Sequence, residues 1–543
     1  MNSRFVLSPE NALAKWFPKT AGFRDRQKEA VDRVWAGKSS LILMPTGTGK
    51  SLIYQLPVLA SNGIGIIISP LIALMEQQST ILRDAGATVL SLGGADALDA
   101  QVALSKFPWN EGPAFLFISP ERAETDGYLE YLVQKHRGKI VLVAIDEAHC
   151  ISQWGYDFRP PYKAIPGFLD RAFGRSTWPA VLCLTATLDT HDEAEILADF
   201  RLKNGDVVRS QNMLRTNLDL SFRVYGSRDE KLAGLETLLT EHLGEKLIVY
   251  THLKKNKTQG TRALAERFKA LGHRCTHFDA DLPLDEKNKT LLDFSSGTVD
   301  VVFATSAFGM GIDISDIRGV VHFLLPESLE QYYQEVGRAG RDSKPAFGVL
   351  LYTATNSKVR RQLIAGAART ADEIRDIWKG LCAGKSTPRT VSPWTDFQGK
   401  EDEHGLFYAF QRVGALTIVA RGPGRLQCFE PRGPQGAALL QRLGASTATG
   451  NITAAIRKLQ LDPTNTMHQL FTLYDHGEIK LVRSPDKTLL IETRELSEDK
   501  LQSIVNDMAE KVQKRIAGFE DFVALVEARA DPTKALRERF GVR

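Results

Sequence analysis

Two doubly wound α/β domains with parallel sheets, followed by a mixed helical region with winged-helix-like hairpins, form the fold class this sequence predicts. Three observations predict it. Short, nearly continuous apolar runs recur between residues 39 and 352: SLILM, IGIIIS, AFLFIS, IVLVAID, AVLCLTAT, KLIVYT, DVVFAT, GVVHFLL and FGVLLY. The series is broken once, over residues 201–218, by polar residues and an NGD turn. After about Thr353 the pattern changes to helical stretches rich in Arg, Lys and Ala.

Each run has the length and β-branched content of a strand buried on both faces, and amphipathic segments such as residues 229–243 supply the covering helices. The polar break puts a domain boundary near residue 210. The expected division is therefore 1–210, 211–355 and 356–543, with the two α/β domains facing each other across a cleft. A chain of 543 residues, 43% hydrophobic and 25% charged, has enough apolar content for several cores. In the third region, LFYAFQRVGALTIVARGPGRLQCFEP and LFTLYDHGEIKLVRSPDKTLLIETRE each read as a helix, a glycine and two strands joined as a hairpin, the closing half of a winged helix. An ordinary α/β packing unit fits that pattern equally well. Leu501, Ile504, Val505, Met508, Val512 and Ile516 then share one face of a closing helix.

Composition narrows the partners less than the motifs do. The 69 Lys and Arg against 65 Asp and Glu leave a net charge of +4, which permits a polyanionic partner without requiring one. The five cysteines are too far apart for a zinc knuckle or redox pair, so reduced, buried thiols are expected. The most apolar stretch, residues 56–75, is cut by Pro57, Asn62, Gly63, Gly65 and Pro70. No membrane association is expected, and the reading places the protein in the cytoplasm.

Residues 44–51, MPTGTGKS, lie between an apolar strand and a helix. A strand, glycine loop and helix in this order aim backbone N–H groups and a helix N-terminus at phosphate. Thr46, Gly47, Thr48 and Gly49 would form the cradle, Lys50 would neutralise the β/γ charge, and Ser51 would hold Mg²⁺. The first position is Met44 where Gly or Ala is usual, and a chance glycine-rich turn is the alternative. Asp146 and Glu147 end the run KIVLVAI, where a strand delivers side chains into a cleft. Asp146 suits a Mg²⁺ ligand and Glu147 a general base for an attacking water. His149 is either a coupling residue across the cleft or an ordinary surface histidine. Arg338 and Arg341, three apart in QEVGRAGR, are either arginine fingers from the second domain or a solvated basic face. Trp154, Tyr156 and Phe158 interleave with Arg159 just beyond the acidic pair, as base stacking requires, with a buried aromatic cluster as the alternative. Ser69 and Arg122 sit in short Ser-Pro turns after strands and suit contacts to nucleic-acid phosphates.

FRDRQ, MPTGTGKSLIYQLP, SPLIALMEQQ, SPER, IDEAHCISQWGYDFRPPY, LTAT, ATSAFGMGID and YYQEVGRAGRD, in this order, resemble the motif series of superfamily 2 DNA helicases of the RecQ family. The match runs over roughly residues 12–352. The resemblance implies RecA-like domains, ATP and Mg²⁺, and ATP-driven 3′-to-5′ translocation with strand separation on single-stranded and tailed duplex DNA. It puts Gln27 on the adenine edge, Arg24 stacked on the base, Asp313 at the nucleotide and Thr305 on DNA. Thr20 stands where the family often has an aromatic. The family usually adds a platform with four zinc-binding cysteines, whereas only Cys382 and Cys428 lie beyond the motor, so no zinc is expected. A translocase that remodels without unwinding or that works on RNA, and a nucleotide-switched DNA-binding scaffold, are the other readings. The region after residue 353 is expected to be dispensable for DNA-stimulated hydrolysis.

Overall fold

The computed structural model describes residues 5, 7–94, 97–151, 160–186, 188, 190–251, 253, 258–306, 308, 314–382, 387–391, 403–444, 450–483 and 488–540. Strands β1 (Ser40–Leu43), β2 (Ile64–Ile68), β3 (Thr88–Ser91), β4 (Ala114–Ile118), β5 (Ile140–Ile145), β6 (Ala180–Thr185) and β7 (Val207–Arg209) form one sheet, in the order β3-β4-β2-β5-β6-β1-β7. Every pairing in it is parallel. A second parallel sheet holds β8 (Leu218–Val224), β9 (Lys246–Tyr250), β10 (Cys275–Phe278), β11 (Val301–Ala304), β12 (Ile317–His322) and β13 (Ala346–Tyr352), in the order β10-β11-β9-β12-β13-β8. In a parallel sheet the loops after the strands gather along one edge, and here those loops carry the motifs.

All the apolar runs picked out above are strands of these two sheets. The strands without such a run, β3 and β7 in the first sheet and β8 and β10 in the second, are the four sheet edges. An edge strand is covered incompletely, so β3 and β8 show mostly half-buried or exposed positions while β1, β2, β4, β5 and β6 are buried throughout. No helix among the described residues is long and apolar enough to cross a membrane.

The third region differs from the expected pair of hairpins. Strands β14 (Arg389–Val391), β15 (Leu416–Arg421), β16 (Phe429–Pro431), β17 (Ile479–Leu481) and β18 (Leu489–Thr493) form two antiparallel sheets, β14-β18-β15 and β16-β17. Among the described residues each strand of the first repeat therefore pairs with a strand of the second, β15 with β18 and β16 with β17. The physical reason is the chain between β15 and β16: it takes a 3-10 turn (Leu426–Cys428) that buries Leu426 and Cys428 instead of folding back as a tight hairpin.

Nor does this region stand alone. Phe429, Leu440, Ile456, Met467, Leu470, Phe471 and Leu490 share one apolar core with Tyr128, Leu129, Tyr131 and Leu132 of the first domain. Tyr128 meets Tyr474 edge-on at 5.0 Å between ring centroids, and Lys135 pairs with Asp475. The chain then turns into a 30-residue helix, Glu498–Glu527. Its first half, through Leu501 and Ile504, packs on Leu406, Phe407, Phe410 and Ile491. Its second half, through Val512, Phe519, Phe522 and Val526, enters the core of the second domain.

Candidate functional site

The loop after β1 turns sharply enough to expose its N–H groups only because Gly47 (φ +78°) and Gly49 (φ +81°) take left-handed backbone angles. The helix Leu52–Leu59 follows directly, so the loop opens on a helix N-terminus. Thr48 Oγ1 closes the turn by donating to Pro45 O at 2.7 Å, and Lys50 Nζ donates to Met44 O at 3.0 Å. Gln27, expected on the adenine edge, stands against this loop. Its Nε2 donates to Thr48 O (2.8 Å) and Gly49 O (3.0 Å), and its Oε1 accepts from Arg24 N (2.7 Å), so it braces the loop from behind. The Arg24 side chain is exposed beside it.

Strand β5 runs buried along its length and ends at Asp146, whose backbone is held by two bonds: its N–H donates to Ile68 O and its carbonyl accepts from Tyr162 Oη, both at 2.9 Å. Glu147 adopts φ +51°, a conformation that costs a non-glycine residue energy and marks sites where geometry is imposed. Burial pushes the Asp146 carboxyl up to about 7, the neighbouring Glu147 charge pushes the same way, and Lys50 opposes both. Lys50 in turn is lowered by burial and by Arg341, with Glu147 and Asp146 offsetting.

His149 connects the two domains. Its Nδ1 lies 3.1 Å from Thr185 Oγ1 at the end of β6 and 3.3 Å from Glu147 Oε2, and its Nε2 lies 3.0 Å from Gln334 Nε2 in the second domain. Burial lowers the imidazole pKa, which favours the neutral ring. Nε2 can then accept from the Gln334 amide while Nδ1–H donates to Thr185. A second bridge runs from Thr46 Oγ1 to Gly337 O at 3.2 Å.

These groups line one cleft of about 450 Å³ between the sheets. The first domain contributes the loop from Thr46 to Ser51 with Asp146, Glu147 and His149, and the second contributes Gln334, Arg338 and Arg341. Arg338 and Arg341 follow the helix Leu329–Val336, which Ser328 caps by accepting from Gln331 N. Their loop is held by Arg215, whose guanidinium donates to Gly337 O (3.0 Å), Ala339 O (2.8 Å) and Gly340 O. Sequence reasoning missed Arg215 and Thr185. Arg215 lies in the polar break between strand series, and Thr185 in LTAT is distinguished only by ending an apolar run. Gln334 was visible in QEVGRAGR without a role.

The expected DNA contacts divide three ways. Ser69 and Thr305 follow β2 and β11, one in each domain, and both hydroxyls are buried with no hydrogen-bond partner among the described residues. Arg122 pairs with Asp126 at 3.0 Å on its own helix turn. Trp154, Phe158 and Arg159, like Asp313 of the nucleotide set, lie outside the described residues.

A family of DEAD/DEAH box helicases matches residues 24–196, and the helicase conserved C-terminal domain matches residues 230–343. The chain is 34% identical over 377 residues to the probable ATP-dependent DNA helicase RecS of Bacillus subtilis, covering 68% of this chain and 72% of that protein. It is 35% identical over 337 residues to ATP-dependent DNA helicase RecQ of Haemophilus influenzae, covering 61% and 51%. For ATP-dependent DNA helicase hus2/rqh1 of Schizosaccharomyces pombe the figures are 34% over 382 residues, 68% and 28%. The chain thus spans about half or less of several curated relatives it matches. Among solved structures the helicase MrfA bound to DNA superposes with a TM-score of 0.53 at 18% identity, over 65% of this chain and 52% of that one, a likeness of fold alone. The two helicase domains fall on the two sheets whose facing edges build the cleft, and with RecS matched over most of its length the chain belongs to the RecQ family of helicases.

Proposed function

We propose that the protein is an ATP-dependent DNA helicase that translocates 3′ to 5′ on single-stranded DNA and separates tailed duplexes. The observation that carries this reading is the convergence, in one cleft, of a phosphate loop and acidic pair from one domain with Gln334, Arg338 and Arg341 from the other. A site shared between two bodies changes with their separation, which is what coupling hydrolysis to movement requires.

Ser51 and Asp146 offer a hydroxyl and a carboxylate oxygen, a donor set that suits Mg²⁺, and the buried acidic pair is relieved by a cation. When bound, Mg²⁺ neutralises charge on the β- and γ-phosphates. The residues of the chain do the remaining work. Backbone N–H groups of residues 46–50 and the Lys50 ammonium hold the β/γ-phosphates. Glu147 takes the proton from the attacking water as the water oxygen bonds to the γ-phosphorus and the bond to the β-phosphate oxygen breaks, giving ADP and phosphate. Arg338 and Arg341 meet the charge on the transferring group once the domains close. Glu147, His149 and Gln334 form a chain of contacts from base to second domain, so closure and base placement move together.

The hydroxyls of Ser69 and Thr305, which have no partner among the described residues, support a DNA backbone crossing both domains, since a buried hydroxyl without a partner is costly and phosphate oxygens would satisfy it. Trp154, Phe158 and Arg159 are proposed to stack on bases and relay DNA occupancy to Glu147. The test is steady-state ATPase with and without single-stranded DNA, together with unwinding of duplexes tailed at either end and of an RNA counterpart. Hydrolysis unaffected by DNA would leave the scaffold reading standing. Unwinding from the 5′ tail would reverse the polarity.

A further inference from the structure

The segment 498–540 leaves a region packed on the first domain and ends against the helix that presents the arginines. Phe519, Phe522, Val526, Leu536 and Phe540, each no more than 4% exposed, share a core with Tyr332, Tyr333 and Val336 of the helix Leu329–Val336. Two contacts fix that helix from outside the second domain's own fold. Arg539 Nε pairs with Glu330, whose side chain is 4% exposed. The Phe540 ring lies 5.8 Å from the Tyr333 ring.

Tyr333 is the junction. Its hydroxyl donates to Met213 O (3.2 Å) and accepts from Arg215 N (2.8 Å), both in the link between the two sheets. The Arg215 guanidinium then holds the carbonyls of Gly337, Ala339 and Gly340, which flank Arg338 and Arg341. The end of the 498–540 segment therefore touches the same tyrosine that orients the interdomain link and, through it, the arginine loop. Removing Arg539 leaves a buried carboxylate without that partner, and removing the Phe540 ring frees one face of Tyr333; either change lets the helix shift relative to the cleft.

We infer that Arg539 and Phe540 are positioning residues for Arg338 and Arg341, acting through Glu330 and Tyr333, so that the segment after the motor is required for a productive arginine loop. This rests on the ATPase reading above. The loop stays in the same chain and the nucleotide-holding residues are in the other domain, so the effect belongs to turnover and not to nucleotide affinity.

The test uses the full chain carrying Arg539→Ala, Arg539→Lys or Phe540→Ala, with Arg537→Ala as control on an exposed position of the same helix. Steady-state kcat and KM for ATP are measured well below each variant's melting temperature, and binding of a non-hydrolysable ATP analogue is titrated. The expected result is a fall in kcat of about 10- to 100-fold for Arg539→Ala and Phe540→Ala, the range that misplacement by about an ångström produces. KM and analogue affinity should stay within about 2-fold, Arg539→Lys should recover part of the rate, and Arg537→Ala should match the parent chain. Parental kcat in both test variants overturns the inference, as does a loss shared equally by kcat and analogue affinity or an equal loss in Arg537→Ala. A parent chain without ATPase activity overturns the functional proposal itself, and the inference with it.

Discussion

Replacing Gly337 by alanine should slow hydrolysis without weakening nucleotide binding. Gly337 sits at φ −59°, so alanine is tolerated by the backbone. An added Cβ would lie 3.0 Å from Thr46 Oγ1 and 3.3 Å from the carbonyls of Tyr333 and Gln334. Thr46 belongs to the phosphate loop of the other domain and its hydroxyl donates to Gly337 O at 3.2 Å, so the methyl group presses on the bridge that spans the cleft. The neighbour is a short side chain on a constrained loop. A penalty of about 1–2 kcal/mol, the lower part of the range for overpacking, falls on the closed arrangement alone. That reduces the closed population roughly 5- to 30-fold, and kcat with it. Steady-state ATPase gives kcat, and a fluorescent ADP analogue, held mainly by the first domain, reports binding. A kcat equal to that of the parent chain, or an equal loss in analogue affinity, would refute the wedge argument.

Glu147→Gln should retain ATP binding while lowering turnover by about 10²- to 10⁴-fold, the usual contribution of a general base, and parental turnover would remove Glu147 from that role. Arg341→Ala should reduce kcat by on the order of 10³-fold or more with little change in ATP affinity; an unchanged kcat would make Arg338 the operative finger. Trp154→Ala should keep basal ATPase and lose stimulation by single-stranded DNA, which a titration of DNA into the ATPase assay reads directly. Glu124→Gln should stabilise the protein increasingly as pH rises. Burial pushes the Glu124 carboxyl from 4.5 up to about 7, with Tyr408 and Arg421 opposing, so the folded protein binds a proton that the unfolded chain has released. The cost therefore grows from about pH 4.5 to pH 7 and levels off above, reaching about 3 kcal/mol for this buried group. Thermal unfolding of parent and variant at pH 5 and pH 8 measures it, and an equal difference at both would contradict the assignment.

The strands that build the cleft were legible because burial on both faces leaves an uninterrupted apolar run, and Lys50, Asp146 and Glu147 stood out because they lie just beyond such runs. Arg338 and Arg341 follow a helix instead and stood out by their spacing in QEVGRAGR, and the structure gathers all five side chains in one cleft. The edge strands were not legible, since β3 and β8 are half solvated and lose the signal. Gln27 shows a different limit: a motif names a residue without saying which way its amide points, and here it faces the carbonyls of Thr48 and Gly49. The third region misled more deeply. Local pattern gave helix and strand correctly, but pairing between β15 and β18 joins residues about seventy apart, and no local signal encodes that choice. Packing of Phe519, Phe522 and Phe540 in the second domain and of Phe471 on Tyr128 likewise makes this region part of both motor domains. Removing everything after residue 353 would strip both cores, so a deletion expected from the sequence to spare DNA-stimulated hydrolysis takes away part of each domain that hydrolysis needs.

The shared core of Tyr128, Tyr131, Phe471 and Tyr474 also sets an order of events during synthesis. The first domain emerges from the ribosome with its aromatic surface bare, and the residues that cover it come only after the whole second domain has been made. At about 5–20 residues per second the roughly 340 residues between Tyr131 and Tyr474 take about 17–70 s. Throughout that interval Tyr128 and Tyr131 face the solvent as a sticky patch on an otherwise folded unit. Yield of soluble protein should therefore depend on translation speed and on chaperones that shield such patches, and residues 420–490 complete the first domain as much as they extend the chain.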